Sequence, residues 1–403
     1  DKNSKLASYF EDIHKKLNHS GQPLDYQGPK FGGGDHRGRT FGHDIIMFPL
    51  ALYMLCSGKF VDGYYEDGAF QFIVTHLNQY GNEYAAMSFD EVRFSNCHFV
   101  EVDFSECDVQ ACSFEHVIFE RCDWQGAIWN ETHFTACRFL DCTLQTLTSQ
   151  KNIFTQVRWQ NCDLSHACFK EDHFSQVQKE QVIVEFATYM AITSEATEWI
   201  ETHFHQFTFY QVEIKTLQFQ GCSFDKTVFM ESDLSGMDWR HMQLPCCQFI
   251  DCAMQNIQLD GADVTQCSFK GCDLRCSSFV QAQAKYALFP YAQLEQAQFT
   301  QADLAHSLWV HSQAQRVCWQ EACLTQAVFH HADVAKSRFV RADLAAADFS
   351  YASVLGADFS AAQFARTRFH AAITEDVGLK KHPRVLACDL ALYEAELWTQ
   401  AYR

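Results

Sequence analysis

The sequence predicts a mostly β chain wound as a four-sided solenoid, and three observations carry the prediction. The first is a clock of five. From 204 to 369 every fifth residue is large and apolar, beginning Phe204, Phe209, Ile214, Phe219, Phe224, Phe229, Leu234 and Trp239. The same phase holds from 89 to 174. Only Ser149, Ala284 and Ala314 miss, in a chain that is 47% hydrophobic overall. The second is a small residue two places before each of these beats, as at Cys97, Val102, Cys107, Cys112, Val117, Cys122 and Ala127. The third is a longer spacing: Cys122, Cys142 and Cys162 are 20 apart, as are Cys247 and Cys267, and Cys252 and Cys272.

A helix repeats every 3.6 residues and a strand every 2, so neither has a period of five. A chain that turns a corner every five residues does. Each pentapeptide then points one large and one small side chain inward and leaves three residues to face water or turn. Four pentapeptides close a square coil of 20 residues that stacks like on like, and stacked coils bury one continuous core.

The repeats carry a resemblance. Ala302-Asp303-Leu304, Ala332-Asp333-Val334, Ala342-Asp343-Leu344, Ala347-Asp348-Phe349 and Ala357-Asp358-Phe359 resemble the A(D/N)LXX unit of pentapeptide-repeat proteins. Cys122-Asp123-Trp124, Cys162-Asp163-Leu164 and Cys272-Asp273-Leu274 are cysteine variants of it. The match covers 89–177 and 204–373. It implies a right-handed quadrilateral parallel β-helix of about 13 coils. Fold and function are separable, so it implies less about activity. Relatives with extra non-repeat domains are often components or cargo of bacterial machines, type VI secretion included. The quinolone-resistance members are acidic rods that mimic duplex DNA and bind gyrase.

The chain divides into five segments. Residues 1–82 break the clock. Leu6, Phe10, Ile13 and Leu17 have helical spacing, and 44–57 and 67–79 read as buried helices, so an α-rich head that caps the first coil is expected. Its glycine-rich stretch, Gly32 to Arg39, lacks the Gly-Lys-Ser/Thr ending of a phosphate loop and reads as a flexible loop, with an anion-binding turn through Arg37 and Arg39 as the alternative. Residues 83–177 are the first part of the solenoid. Residues 178–203 lose the alternation and are expected to form an acidic insertion, helical by preference with a distorted coil as the alternative, carrying Glu180, Glu185, Glu195, Glu198 and Glu201. Residues 204–373 are the second part. Residues 374–403 hold a linker (Gly378, Pro383) and an amphipathic helix over 384–402. The resemblance implies that such an element caps the rod and joins two copies as a homodimer.

Net charge is −19, from 31 basic and 50 acidic residues. Residues 81–177 hold 15 acidic and 6 basic, while 204–370 hold 16 and 12. Such a surface argues against direct nucleic-acid binding, which needs cations to displace counterions, and suits a basic protein partner. Most of the 19 cysteines occupy the small inward position. They read as free thiols in the core, which favours a reducing, cytoplasmic setting; the resemblance implies a bacterial one, with secretion by a route without a signal peptide left open. The longest apolar run, 45–56, is interrupted by Pro49 and too short to span a bilayer.

No catalytic set emerges. The histidines, such as His98, His133, His205, His330 and His331, scatter over outward positions, and no C-x-x-C, H-E-x-x-H or G-x-S-x-G is present. No cofactor, metal ligand or catalytic residue is assigned. The expected function is a non-catalytic scaffold for a protein partner. The first alternative is an acidic DNA mimic that binds gyrase or another topoisomerase. The second is an effector or toxin whose chemistry lies outside the rod. The candidate partner-binding residues are the five glutamates above with Arg37 and Arg39.

Overall fold

A computed structural model of the chain describes residues 59–61, 64–66, 88–90, 93–375, 377, 379 and 382–401. Most of the expected head, with Arg37 and Arg39, lies outside the described residues. Two of its strands are described: Lys59–Val61 and Tyr64–Glu66 pair in parallel with Arg93–Ser95 and His98–Val100. The coil therefore begins inside the segment expected to be a helical head.

The chain forms two compact units, Asp1–Leu164 with Asp172–Val182, and Ser165–Glu171 with Ile183–Arg403. Each is a parallel β-solenoid in which, between the first and last pairings, residue i pairs with i+20. Phe94 pairs with Phe114 and Phe134 with Phe154 in the first unit, and Phe209 with Phe229 in the second. The beats thus fall on four sides, which in the first unit carry Phe94, Phe99, Phe104 and Val109.

The corners explain the period. Two residues after nearly every beat the backbone is left-handed, with φ of 55° at Glu101, 49° at Arg121 and 60° at Tyr286; the corner after Ile214 is instead a 3-10 turn. This conformation is costly for L-residues in runs but tolerable one residue at a time. Each corner N–H is held by the next coil: Glu101 donates to the Glu120 carbonyl at 2.8 Å and Arg121 to the Leu140 carbonyl at 2.9 Å. Aspartate sharpens many corners. In the Ala-Asp-Leu unit its carboxylate accepts the N–H two residues on, as from Ser235 to Asp233 at 2.9 Å and from Ala345 to Asp343 at 3.0 Å. This Asx turn competes with extended backbone. Accordingly, the Phe104 side of the first unit, with Asp103, Asp123 and Asp163, makes single bridges where the other sides make three-residue strands. From Asp233 onward nearly every side does so.

The core is a set of ring stacks. In the second unit Phe209, Phe229, Phe249, Phe269, Phe289, Trp309, Phe329, Phe349 and Phe369 form one ladder, with neighbouring centroids 4.0 to 5.6 Å apart. That is close to the strand spacing, so pairing and stacking reinforce each other. The small inward slots have a second property that their size does not reveal. Cys, Ser, Thr and Asn there donate to the beat carbonyl of the preceding coil: Cys142 to Phe119 at 3.3 Å, Thr227 to Phe204 at 3.3 Å, Ser337 to Ala314 at 2.8 Å and Asn152 to Trp129 at 2.9 Å. The thiols are weak donors of the right length. All cysteines among the described residues are free. Burial pushes the Cys137 thiol up to about 12, which keeps it protonated and unreactive.

The expected helix over 178–203 is not there. Gln178–Glu180, Thr188–Met190, Thr193–Glu195 and Thr197–Ile200 are strands, with left-handed corners at Gln181, Phe186, Ala191, Ala196 and Glu201. The clock runs through the segment without a slip, as Lys179, Val184, Tyr189, Ser194, Trp199 and Phe204. Two polar beats conceal it. Lys179 is fully buried, and its ammonium lies 3.9 Å from the Phe174 ring centroid and 5.7 Å from that of Trp159. Aromatic faces and a long aliphatic stem let a lysine fill a phenylalanine's place. Ser194 is half-buried and hydrogen-bonded to Thr216.

After the last coil, Val385–Leu386 pairs with Thr367–Arg368, and a helix spans Leu390–Ala401. Among the described residues no helix is long and apolar enough to cross a membrane.

Candidate functional site

The five glutamates do not form one patch. A coil of 20 residues gives each side five, so sequence neighbours part company at every corner. In the second unit Glu185 belongs to the Val184 side, Glu195 to the Ser194 side, and Glu198 and Glu201 to the Trp199 side. Glu180 belongs to the first unit. Glu185, Glu195 and Glu201 are exposed, and Glu180 and Glu198 half-buried. What looks like an acidic cluster in the sequence is an acidic band dealt over several sides.

The coil instead assembles two other groups on the second unit's surface. His203 and His205 flank Phe204 on the strand His203–His205. Phe204 is fully buried, so its two neighbours both point outward. The strand pairs with Ser223–Asp225, with His203 opposite Ser223 and His205 opposite Asp225. A ring nitrogen of His203 lies 2.6 Å from the Ser223 hydroxyl, and Nδ1 of His205 lies 2.8 Å from Oδ2 of Asp225. One ligand atom from each of His203, His205 and Asp225 falls within 4.8 Å of the other two. The sequence reading noted His205 and missed its partners, because it followed only inward positions. Reading outward positions at 20 finds Asp225 from His205 and Ser223 from His203.

The second group anchors the C-terminal helix. The Tyr351 hydroxyl donates to Oε1 of Glu396 at 2.6 Å, and Nε2 of His370 meets Oε2 at 3.1 Å. The Asp389 N–H donates to Nδ1 of His370 at 3.3 Å, so the ring proton sits on Nε2, toward the carboxylate. The Tyr351 hydroxyl and His370 hold the Glu396 carboxyl below its usual range, while Glu396 pushes Tyr351 up to about 12. Glu396 faces the coil, and every other helical residue is exposed. At 100° per residue, Leu390 and Leu397 lie about 100–120° round the helix from Glu396 and Trp398 about 160° from it. They are 70%, 48% and 64% exposed.

A buried polar column lies in the first unit. The Cys112 N–H donates to the Thr132 hydroxyl, Thr132 N–H to Asn152 Oδ1 and Asn152 N–H to Asp172 Oδ1, at 3.2, 2.8 and 2.7 Å. Ser149 donates to Asp172 Oδ2 at 2.7 Å. Burial raises Asp172 to about 7, opposed by these bonds and by the charge of Lys179. Burial also lowers Lys179. Both shifts say that desolvation outweighs the attraction between them. Thr132, Ser149, Asn152 and Asp172 are all buried, so the column supports the core.

Described residue by residue, the molecule is a parallel β-solenoid built from five-residue units, with a polar exterior and an apolar helix face at its C-terminal end. Two family models match it: a pentapeptide repeat region over 83–148 and 242–315, and pentapeptide repeats in 8 copies over 322–360 and 342–373. The chain belongs to the pentapeptide-repeat family. No curated protein matches it. Among solved structures it is similar to QnrB1, a plasmid-mediated fluoroquinolone resistance protein, with 21% identity over 45% of this chain and 87% of the other and a TM-score of 0.33. It is also similar to HetL, involved in heterocyst differentiation regulation in the cyanobacterium Nostoc, with 13% identity over 72% and 94% and a TM-score of 0.18. Rfr23 from the cyanobacterium Cyanothece matches at 12% identity over 32% and 90%, with a TM-score of 0.17. At these identities and scores the neighbours say nothing about what this chain binds.

Proposed function

We propose that this pentapeptide-repeat scaffold acts without catalysis, binding a protein partner along its sides and pairing with a second copy of itself through its C-terminal helix. The observation that carries the reading is the helix: Glu396 ties it to the coil, while Leu390 and Leu397 are 70% and 48% exposed. Exposed leucines side by side on an anchored helix suit an association surface. A second copy suits it. The chain carries −19 overall, yet 374–403 holds 5 acidic and 4 basic residues, so two chains meet with least repulsion there. Light scattering on purified protein is expected to give a dimer, and Leu390→Glu with Leu397→Glu a monomer. A wild-type monomer would remove the pairing from the proposal.

Partner docking rests on the acidic band. Reversing Glu185, Glu195 and Glu201 to lysine is expected to weaken partner capture, with a strong dependence on salt in the wild type. Undiminished capture by the variant counts against it. The setting we favour is an adaptor or component of a bacterial machine such as type VI secretion, which affinity capture with mass spectrometry tests. The acidic excess of 81–177 favours a second reading, mimicry of DNA toward gyrase. Absence of inhibition in a supercoiling assay at micromolar protein would discard it.

A further inference from the structure

We propose that His203, His205 and Asp225 form a binding site for a divalent transition-metal ion, Zn²⁺ the prime candidate, on the outer surface of the second unit. Three features point to it. The donor set is two imidazoles and one carboxylate, which suits zinc and its borderline neighbours and does not suit calcium or magnesium. The backbone fixes the geometry: His203 and His205 are held to one side by the burial of Phe204 between them, and Asp225 is set beside His205 by parallel register. The ligand atoms already lie within 4.8 Å of one another. A tetrahedral zinc with bonds of about 2.0–2.1 Å needs its ligands roughly 3.4 Å apart. Small side-chain rotations close that gap without moving the coil.

The hydrogen bonds fit the same reading. His205 Nδ1 and Asp225 Oδ2 share a proton across 2.8 Å, and a cation between the same atoms would replace that proton. The Ser223 hydroxyl holds one nitrogen of His203 and leaves the other to ligate, the arrangement that orients metal-bound histidines. Three protein donors leave a fourth position open to water or to a side chain from a docked protein. None of the three residues is needed by the helix pairing or the acidic band, so the site stands or falls independently of the scaffold reading.

The test is calorimetric titration of the full chain with Zn²⁺ near neutral pH, under reducing conditions. One saturable site per chain is expected. His205→Ala and Asp225→Ala should each weaken it by about 100-fold, and Ser223→Ala by roughly 10-fold. These side chains are on the surface, so circular dichroism should show the variants folded and melting as the wild type does. Co²⁺ provides a second readout: a visible d–d spectrum lost in Asp225→Ala and lacking thiolate charge transfer. Unchanged affinity in the variants, no saturable binding, or a thiolate band that survives substitution would each overturn the assignment.

Discussion

Single residues in this fold are judged by the slot they fill. Trp309 stacks on Phe289 at 4.0 Å and on Phe329 at 5.6 Å, with no exposure. Trp309→Ala opens a gap in the longest ladder and is expected to cost about 3–5 kcal/mol, measured by denaturant unfolding. Lys179 and Asp172 give a subtler effect. Asp172 has a folded pKa of about 7, above its ordinary 3.8, so its contribution is full below the unfolded value and is lost as pH rises toward 7. The lowered pKa of Lys179 acts in the other sense: its contribution is full at alkaline pH and is lost as pH falls through the folded value. Lys179→Met restores an apolar beat and removes the cation that holds Asp172 down. Melting temperatures across neutral pH should then show the Asp172-linked loss continuing to more alkaline pH than in the wild type. Superimposable profiles would mean that the two groups do not sense each other.

At the scale of elements, the Glu396 carboxylate anchors the helix Leu390–Ala401 to Tyr351 and His370. Glu396 has a folded pKa below its ordinary value, so its anchoring is complete above that value and is lost as pH falls through the folded one. Glu396→Ala removes both anchors at any pH. Amide hydrogen exchange over 390–401 is expected to quicken in the variant at neutral pH and in the wild type only on acidification. Equal protection in both would assign the helix's order to other contacts. The elements also show what was legible in the sequence. The coil was, because a beat every five residues is a property of the inward positions themselves. The segment 178–203 was not, because Lys179 and Ser194 read as solvent residues until the aromatic rings around one and the hydroxyl beside the other are seen. The histidine–aspartate group was hidden for a different reason. Its members are 20 residues apart and outward, where polarity carries no periodic signal and only the stacking register brings them together.

For the whole molecule, charge and register divide the work. The repeats supply the support, and on the proposed reading the acidic surplus over 81–177 favours a basic partner. On that reading specificity comes from departures from the repeat: the paired imidazoles beside Asp225, and the exposed leucines of the C-terminal helix. These departures are few, and each can be removed without disturbing the core.

The left-handed corners, spaced alike from coil to coil, have a consequence for length. Removing residues 287–306 would join Tyr286 to Ser307, a corner to a small slot, and put Trp309 directly over Phe269. Such a shortened chain should fold and melt cooperatively, whereas a cut of 18 residues at the same place should aggregate, its downstream rings turned into water. Shape here is arithmetic in twenties: whole turns can be gained or shed as spare parts, and any remainder is a frameshift written in space.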